Sequence, residues 1–282
     1  MTAQSPIPQE SDRLELARTT AREASELSLT FFNNPSLRIQ TKGDGSEVTE
    51  ADEACEKLIR ARIIEAFPDD GIMGEEFDDR PSQSGYRWII DPIDGTFSFA
   101  RGVPLYSVLI ACEKLDNNEP VDAGVRLGLI AMPALHPPTG AGRGEYVYAV
   151  RNGGAWHQMG TADPVRAHVS NITDPDHATT CITTRAHFAR NNALDVLERT
   201  LTATGHSRGW SDAYPALLLA TGRVEAMVEP NMKPWDSATM QPIIAEAGGT
   251  CTDWNSRESI HTGSLLATNG HLHDHLLKAI KG

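Results

Sequence analysis

One stretch narrows the possible folds more than any other: YRWIIDPIDGT, residues 86–96. The apolar run Trp88-Ile89-Ile90 leads straight into Asp91 and Asp94. β-branched and aromatic residues bounded by Pro and Gly read as a buried strand, so two acids arrive at the edge of a core. Pro92 restricts Asp91 to extended backbone, and Gly95 permits a tight turn. Neighbouring carboxylates repel, and a nearby core screens that repulsion poorly. Turn chemistry after a strand is one reason to place acids there. A bound cation is another.

The rest of the chain sorts into two patterns. Leu14, Ala17, Ala21, Ala24 and Leu27 recur at helical spacing from Leu14 to Phe31, and a second helix is expected from Glu50 to Phe67, ended by PDDG. The runs YRWIID, YSVLIACEK, AGVRLGLIAM and EYVYAV follow as strands, joined by Gly-, Pro- and Asn-rich segments such as LDNNEP and HPPTGAGRG. This half reads as α+β, helices on a largely antiparallel sheet. After NGGAW strands and helices alternate: TTCITT, a helix over Asn191–Thr204, another over Ala213–Ala220, VEAMV, a helix over Asp236–Ala247, strands near TCTDW and SLLAT, and a last helix from His271. The expected class is α/β, with lobes at residues 1–155 and 156–282.

A formal charge of -13 and a pI near 5.2 argue against a nucleic-acid partner, which needs a basic footprint, and against docking on anionic membranes. An acidic chain can still take a small phosphorylated metabolite if bound metal supplies positive charge. No apolar stretch approaches a membrane span. MTAQSPIPQESDRLELA has no basic segment followed by an apolar one, so it does not read as a signal peptide. Cys55, Cys112, Cys181 and Cys251 form no CxxC pair and read as reduced, buried thiols. A cytoplasmic protein is expected.

Further acids stand out by context: Asp52 in EVTEAD, Glu75 and Glu76 in MGEEF, and Asp236 in PWDSA. Clustered carboxylates suit hard cations; magnesium takes about six oxygen ligands and commonly keeps several waters. Two such ions clamp a phosphoryl group and activate water. Gly95 and Thr96 at a helix start offer amides to a phosphate. Each acid also has a plainer reading. Asp52, three residues after Thr49, forms a variant capping box; Glu75-Glu76 suits a solvated loop; Asp236 suits a helix N-terminus. The His271, His273 and His275 cluster reads as a solvated terminal helix.

Taken together, VTEAD, GEE, WIIDPIDGT, NGGAW, WDSA and IIAEAGG, in this order and at these separations, resemble the inositol monophosphatase family of magnesium-dependent, lithium-sensitive phosphatases. The resemblance implies a layered αβαβα sandwich and a homodimer. It implies a first magnesium on Glu75, Asp91 and the Ile93 carbonyl, and a second on Asp91, Asp94 and Asp236. Glu76 and Asp52 would support the site and a third ion. Thr96 and Asp52, with Glu75, would direct the attacking water, and Gly95 and Thr96 amides would hold the phosphate. Lys42 matches a loop lysine near that phosphate.

Within the family, DGTFSFARGVPLYSVLIA and SDAYPALLLATGRVEAMVEPNMKPWD resemble the subgroup that hydrolyses histidinol phosphate in histidine biosynthesis. Asp212 and Glu229, with Asp94 and Asp236, would then face the alcohol portion, since carboxylates suit a cationic amine or imidazolium and also sugar hydroxyls. Arg101 and Tyr214 line that pocket or serve in salt bridging and packing. Ser211, Glu47, Phe97 and Thr239 depart from the family pattern, and none of them removes a metal ligand. Inositol monophosphatase or broader sugar phosphatase activity, including fructose bisphosphatase, is the alternative; a catalytically silent member is another.

Overall fold

The structure is a computed structural model that describes residues 8–43, 45–135, 142–210 and 212–282. His136, Ser211 and the N-terminal residues 1–7 lie outside the described residues, as does much of HPPTGAGRG. The first helix, α1 (Pro8–Phe31), buries Leu14, Ala17, Ala21 and Ala24 on one face, as their spacing predicts. Their small side chains let α1 lie against α2 (Glu50–Ala66), which buries Ala51, Cys55, Ile59 and Ile63 on its own stripe. Between them a short antiparallel hairpin, β1 (Ile39–Thr41) and β2 (Glu47–Thr49), carries Lys42 at its turn.

Among the described residues a seven-stranded sheet runs in sequence order: β3 (Gly71–Gly74), β4 (Tyr86–Asp94), β5 (Ser107–Lys114), β6 (Val125–Met132), β7 (Glu145–Val150), β8 (Gly154–Met159) and β9 (Val165–Arg166). Only the β3–β4 pair among these is parallel. Alternation sorts the side chains by face. Trp88 and Ile90 join Val108, Ile110 and Cys112 under α1 and α2, whereas Leu109 and Ile130 point to the opposite face.

The second sheet has five strands among the described residues, β10 (Thr179–Cys181), β11 (His206–Arg208), β12 (Ala226–Glu229), β13 (Thr250–Thr252) and β14 (Leu265–Thr268), in the order β11-β10-β12-β14-β13. Two helices, α6 (Tyr214–Ala220) and α8 (Met240–Glu246), fill the space between the sheets. Leu217 and Ile243 there share one core with Leu109 and Val147 on one side and Met227 and Leu265 on the other. Outside the second sheet, α4 (Arg185–Arg190), α5 (Leu194–Thr202) and α9 (His273–Lys281) bury Phe188, Leu197 and Leu276 against Val228 and Leu266. The layers therefore read α, β, α, β, α: an α/β sandwich.

Some expected elements shift. The helix expected over Asp236–Ala247 is two pieces, α7 (Pro234–Ser237) and α8, and it begins earlier because Pro234 opens it. The terminal histidines share no site. His273 is buried between Thr252 and Thr268 rather than solvated, with its ring nitrogens 3.1 Å from each hydroxyl; His275 donates to the Ala203 carbonyl, and His271 is exposed. All four cysteines are free and buried, as expected.

Candidate active site

The two acids that end β4 are brought together by an irregularity in its pairing with β5. Asp91 pairs with Leu109 and Asp94 with Ser107, so three steps on β4 oppose two on β5. Such a bulge re-aims side chains at a strand end. Asp91 is only 2% exposed, and its Oδ1 accepts the Ile93 amide at 3.0 Å. Asp94 Oδ2 accepts the Ser107 hydroxyl and the Ala213 amide, each at 2.7 Å. Burial raises both acids well above the usual carboxylate range; Glu75 and Asp94 add to this at Asp91, and Asp212 and Asp236 at Asp94.

Directly after them Gly95 starts α3 (Thr96–Ala100) with φ 86, where a side chain is disfavoured. A Cβ there would also stand 2.8 Å from Asp212 Oδ2. The glycine thus permits both the turn and the close approach of Asp212, which itself has a left-handed φ of 61. The Thr96 hydroxyl lies 2.9 Å from Asp52 Oδ1 and 3.0 Å from the Ile93 carbonyl. Asp52 caps α2 in the box that its spacing from Thr49 predicts: its Oδ2 accepts the Thr49 amide at 2.8 Å and the Thr49 hydroxyl at 2.5 Å. Its Oδ1 still faces Thr96, so capping and a place in the site coexist. Burial raises its pKa, against the pull of the threonine bonds.

The GEE segment follows β3 directly, and Lys42 reaches it from the β1–β2 turn. Lys42 Nζ is 2.7 Å from Glu75 and 2.8 Å from Glu76. Burial works against the ammonium charge, but the two carboxylates prevail and push its pKa up. The lysine matched to a phosphate-side loop therefore sits on the acids in this structure. Glu76 is held at about 7, chiefly by burial and despite Lys42.

The other side of the cluster comes from the downstream half. α7 packs against β4 and brings Asp236, half-buried, toward Asp91 and Asp94; its Oδ2 accepts the Lys233 amide at 2.8 Å. Burial pushes it up to about 7, and the charges of Glu75 and Asp212 add to this. Glu229 ends β12, is 1% exposed, and accepts the Thr183 amide at 2.5 Å through Oε1. Its Oε2 is buried with no hydrogen-bond partner among the described residues, and burial holds the acid at about 8. Arg101 takes the ion-pairing role: it binds Glu47 at 2.8 and 2.9 Å and lies 3.5 Å over the exposed Phe97 ring. Tyr214 packs beside Trp210, ring centroids 6.3 Å apart.

Several contributors carried no signal in the sequence. Ser107, the Ala213 amide, the Thr183 amide and the Lys233 amide each bind a site carboxylate. They are ordinary residues whose role depends on where distant elements meet.

The groups gathered here are oxygens, mutually repelling, with Lys42 as the cation on Glu75 and Glu76, which is the chemistry of a hard-cation site. Among the described residues no three His, Cys, Asp or Glu side chains close on one point as a finished cage. Magnesium does not demand one, since it binds through one or two carboxylates and keeps its waters. The set fits such ions.

The model of the inositol monophosphatase family matches residues 9–282. A protein named histidinol-phosphatase from Chlorobaculum parvum is 41% identical over 268 residues, covering 95% of this chain and 96% of that protein. One of the same name from Streptomyces coelicolor is 34% identical over 273 residues, covering 96% and 97%. The crystal structure of the extragenic suppressor protein SuhB from Bartonella henselae superposes with a TM-score of 0.82 at 25% identity, covering 96% of this chain and 98% of that one.

Proposed function

The chain belongs to the inositol monophosphatase family, and from that membership we propose that it hydrolyses L-histidinol phosphate to L-histidinol and phosphate, a step of histidine biosynthesis. It is a phosphoric monoester hydrolase. The observation that carries the chemistry is the group of raised, under-compensated acids around the end of β4. Glu75, Asp91 and the Ile93 carbonyl would hold one magnesium, Asp91, Asp94 and Asp236 a second, and Glu76 with Asp52 a weaker third. When bound, magnesium draws charge from the phosphoryl oxygens and makes water a competent nucleophile near neutral pH.

The chain's own groups then orient the reactants. The Thr96 hydroxyl, 2.9 Å from Asp52 Oδ1, directs the attacking water and passes its proton toward that carboxylate. The Gly95 and Thr96 amides would hold the phosphate, and Asp94, Asp212, Glu229 and Asp236 would face the alcohol portion. Glu229 supports the choice of alcohol, because its buried Oε2, without a hydrogen-bond partner among the described residues, would be completed by a cationic amine that also favours its ionised form. A hydroxyl of a neutral polyol is a weaker match for that charge. The same reading makes the protein a lithium-inhibited, cytoplasmic homodimer; among the described residues no helix is long and apolar enough to cross a membrane.

The test is a side-by-side assay of purified protein with magnesium on histidinol phosphate, inositol phosphate and fructose bisphosphate. Histidinol phosphate should give the highest kcat/KM, and chelator should abolish release of phosphate from all three. A clear preference for inositol phosphate sinks the substrate choice, and turnover that survives chelation sinks the metal reading.

A further inference from the structure

Behind the acids lies a second carboxylate that the chemistry above does not use. Glu56 is in α2, one turn after Asp52, and is fully buried. Its Oε2 accepts the Glu76 amide at 2.8 Å, and its Oε1 accepts Arg60 Nε at 2.7 Å. Arg60 in turn donates through Nη2 to the Phe77 carbonyl at 2.9 Å. Glu56 and Arg60 thus grip a donor and an acceptor of the bend that follows β3, the bend on which Glu75 and Glu76 stand. Gly74 makes the grip possible, since a Cβ there would lie 2.2 Å from Glu56 Oε1.

We propose that Glu56, with Arg60, is a positioning residue: it fixes the backbone of residues 75–77 so that the Glu75 carboxylate meets the first magnesium at the right place. The inference rests on the metal role proposed for Glu75. Burying a carboxylate is costly unless it is paired and hydrogen-bonded, and Glu56 finds those partners in Arg60 and in the bend itself. A helix gives that anchor a rigidity that a loop contact lacks. Asp52 and Glu56, one turn apart on one helix, then tie the helix to both the Thr96 side and the GEE side of the site.

The experiment compares Glu56→Gln with Glu113→Gln, a carboxylate equally buried under Arg87 but on β5, away from the site. Manganese binding is followed by electron paramagnetic resonance, and amide exchange over residues 72–80 is measured in the metal-free protein. Glu56→Gln should weaken manganese about 10-fold or more, the scale seen when the partner of a metal ligand is lost. Exchange in the bend should speed up roughly tenfold, whereas Glu113→Gln should leave both as in the wild type. Unchanged exchange in the bend, or equal weakening of manganese by Glu113→Gln, overturns the proposal. If Glu56→Gln does not fold, Arg60→Gln removes the Phe77 contact from the more exposed side and should shift both readouts the same way by a smaller factor; no shift there overturns it too. Wild-type protein that binds no manganese sinks the metal role of Glu75 instead, and the exchange data then judge the grip by itself.

Discussion

Two buried aspartates, both in reach of β4, show how differently one fold can treat the same side chain. Asp70, behind the strand's beginning, is 1% exposed and receives four hydrogen bonds: two from Arg13 at 2.8 and 2.7 Å, one from Trp88 Nε1 at 2.9 Å and one from Ser84 at 2.6 Å. Arg13 is itself clasped between the rings of Phe67 and Tyr86, 4.3 and 4.0 Å from their centroids. Asp91, at the strand's other end, is equally buried but faces Glu75, Asp94 and Asp236, with the Ile93 amide as its donor. Burial by itself is therefore no mark of function. An acid whose charge the protein answers holds the fold together, and one whose charge is left to something else marks the site.

The sharpest way to break this contrast is to neutralise one acid of each kind. Asp94→Asn should lower kcat by about a thousandfold or more, since it removes charge proposed to hold metal. The same change should leave the thermal midpoint of the metal-free protein unchanged or raise it, because repulsion with Asp212 and Asp236 disappears. Asp70→Asn should do the reverse. Breaking its pair with Arg13 costs about 3 kcal/mol of stability in a denaturant titration, with activity per folded molecule retained. If Asp70→Asn abolishes activity of folded protein, or Asp94→Asn spares it, the division fails.

A gentler probe is pH. Glu229 sits at about 8 in the fold against an ordinary 4.5, mainly through burial. The folded state therefore binds this proton more tightly than the unfolded one. Stability falls as pH rises from about 4.5 to about 8 and stays lower above that window. In chelator the thermal midpoint should be higher below the window than above it, and Glu229→Gln should flatten that difference. A wild-type slope unchanged by the substitution removes Glu229 from the under-compensated set. The smallest effect is expected at Lys42. Lys42→Met frees Glu75 and Glu76 from a competing ammonium, so calorimetry should show magnesium bound tighter by at most about fivefold. Weaker binding would mean that the lysine arranges the acids for the ion instead of contending with it.

Much of this is legible in the sequence. The apolar runs bounded by turn residues announce the first sheet, the alanines of α1 announce its packed face, and Asp52 announces its cap through Thr49. Asp91 and Asp94 are readable because an apolar strand and a Pro-Gly turn leave them little freedom. The β1–β2 hairpin, the division of α7 from α8, and β11 were not, since short elements depend on neighbours far along the chain. The same limit hides Ser107 and Glu56, whose importance lies wholly in what stands opposite. Nor does the sequence separate Asp70 from Asp91: each is an acid near a turn, and what distinguishes them is the arrival of donors, above all Arg13 from 57 residues away.

The sandwich has one more consequence. The acids proposed for the ions lie chiefly around β3 and β4, in the first sheet, whereas Glu229 hangs from β12 in the second, across the layer of α6 and α8. On the proposed reading, reaction and recognition are thereby mounted on different sheets. If so, changes along β12 should alter which alcohol is released without disturbing the groups that release it. Such a layout lets a lineage change diet while keeping its teeth.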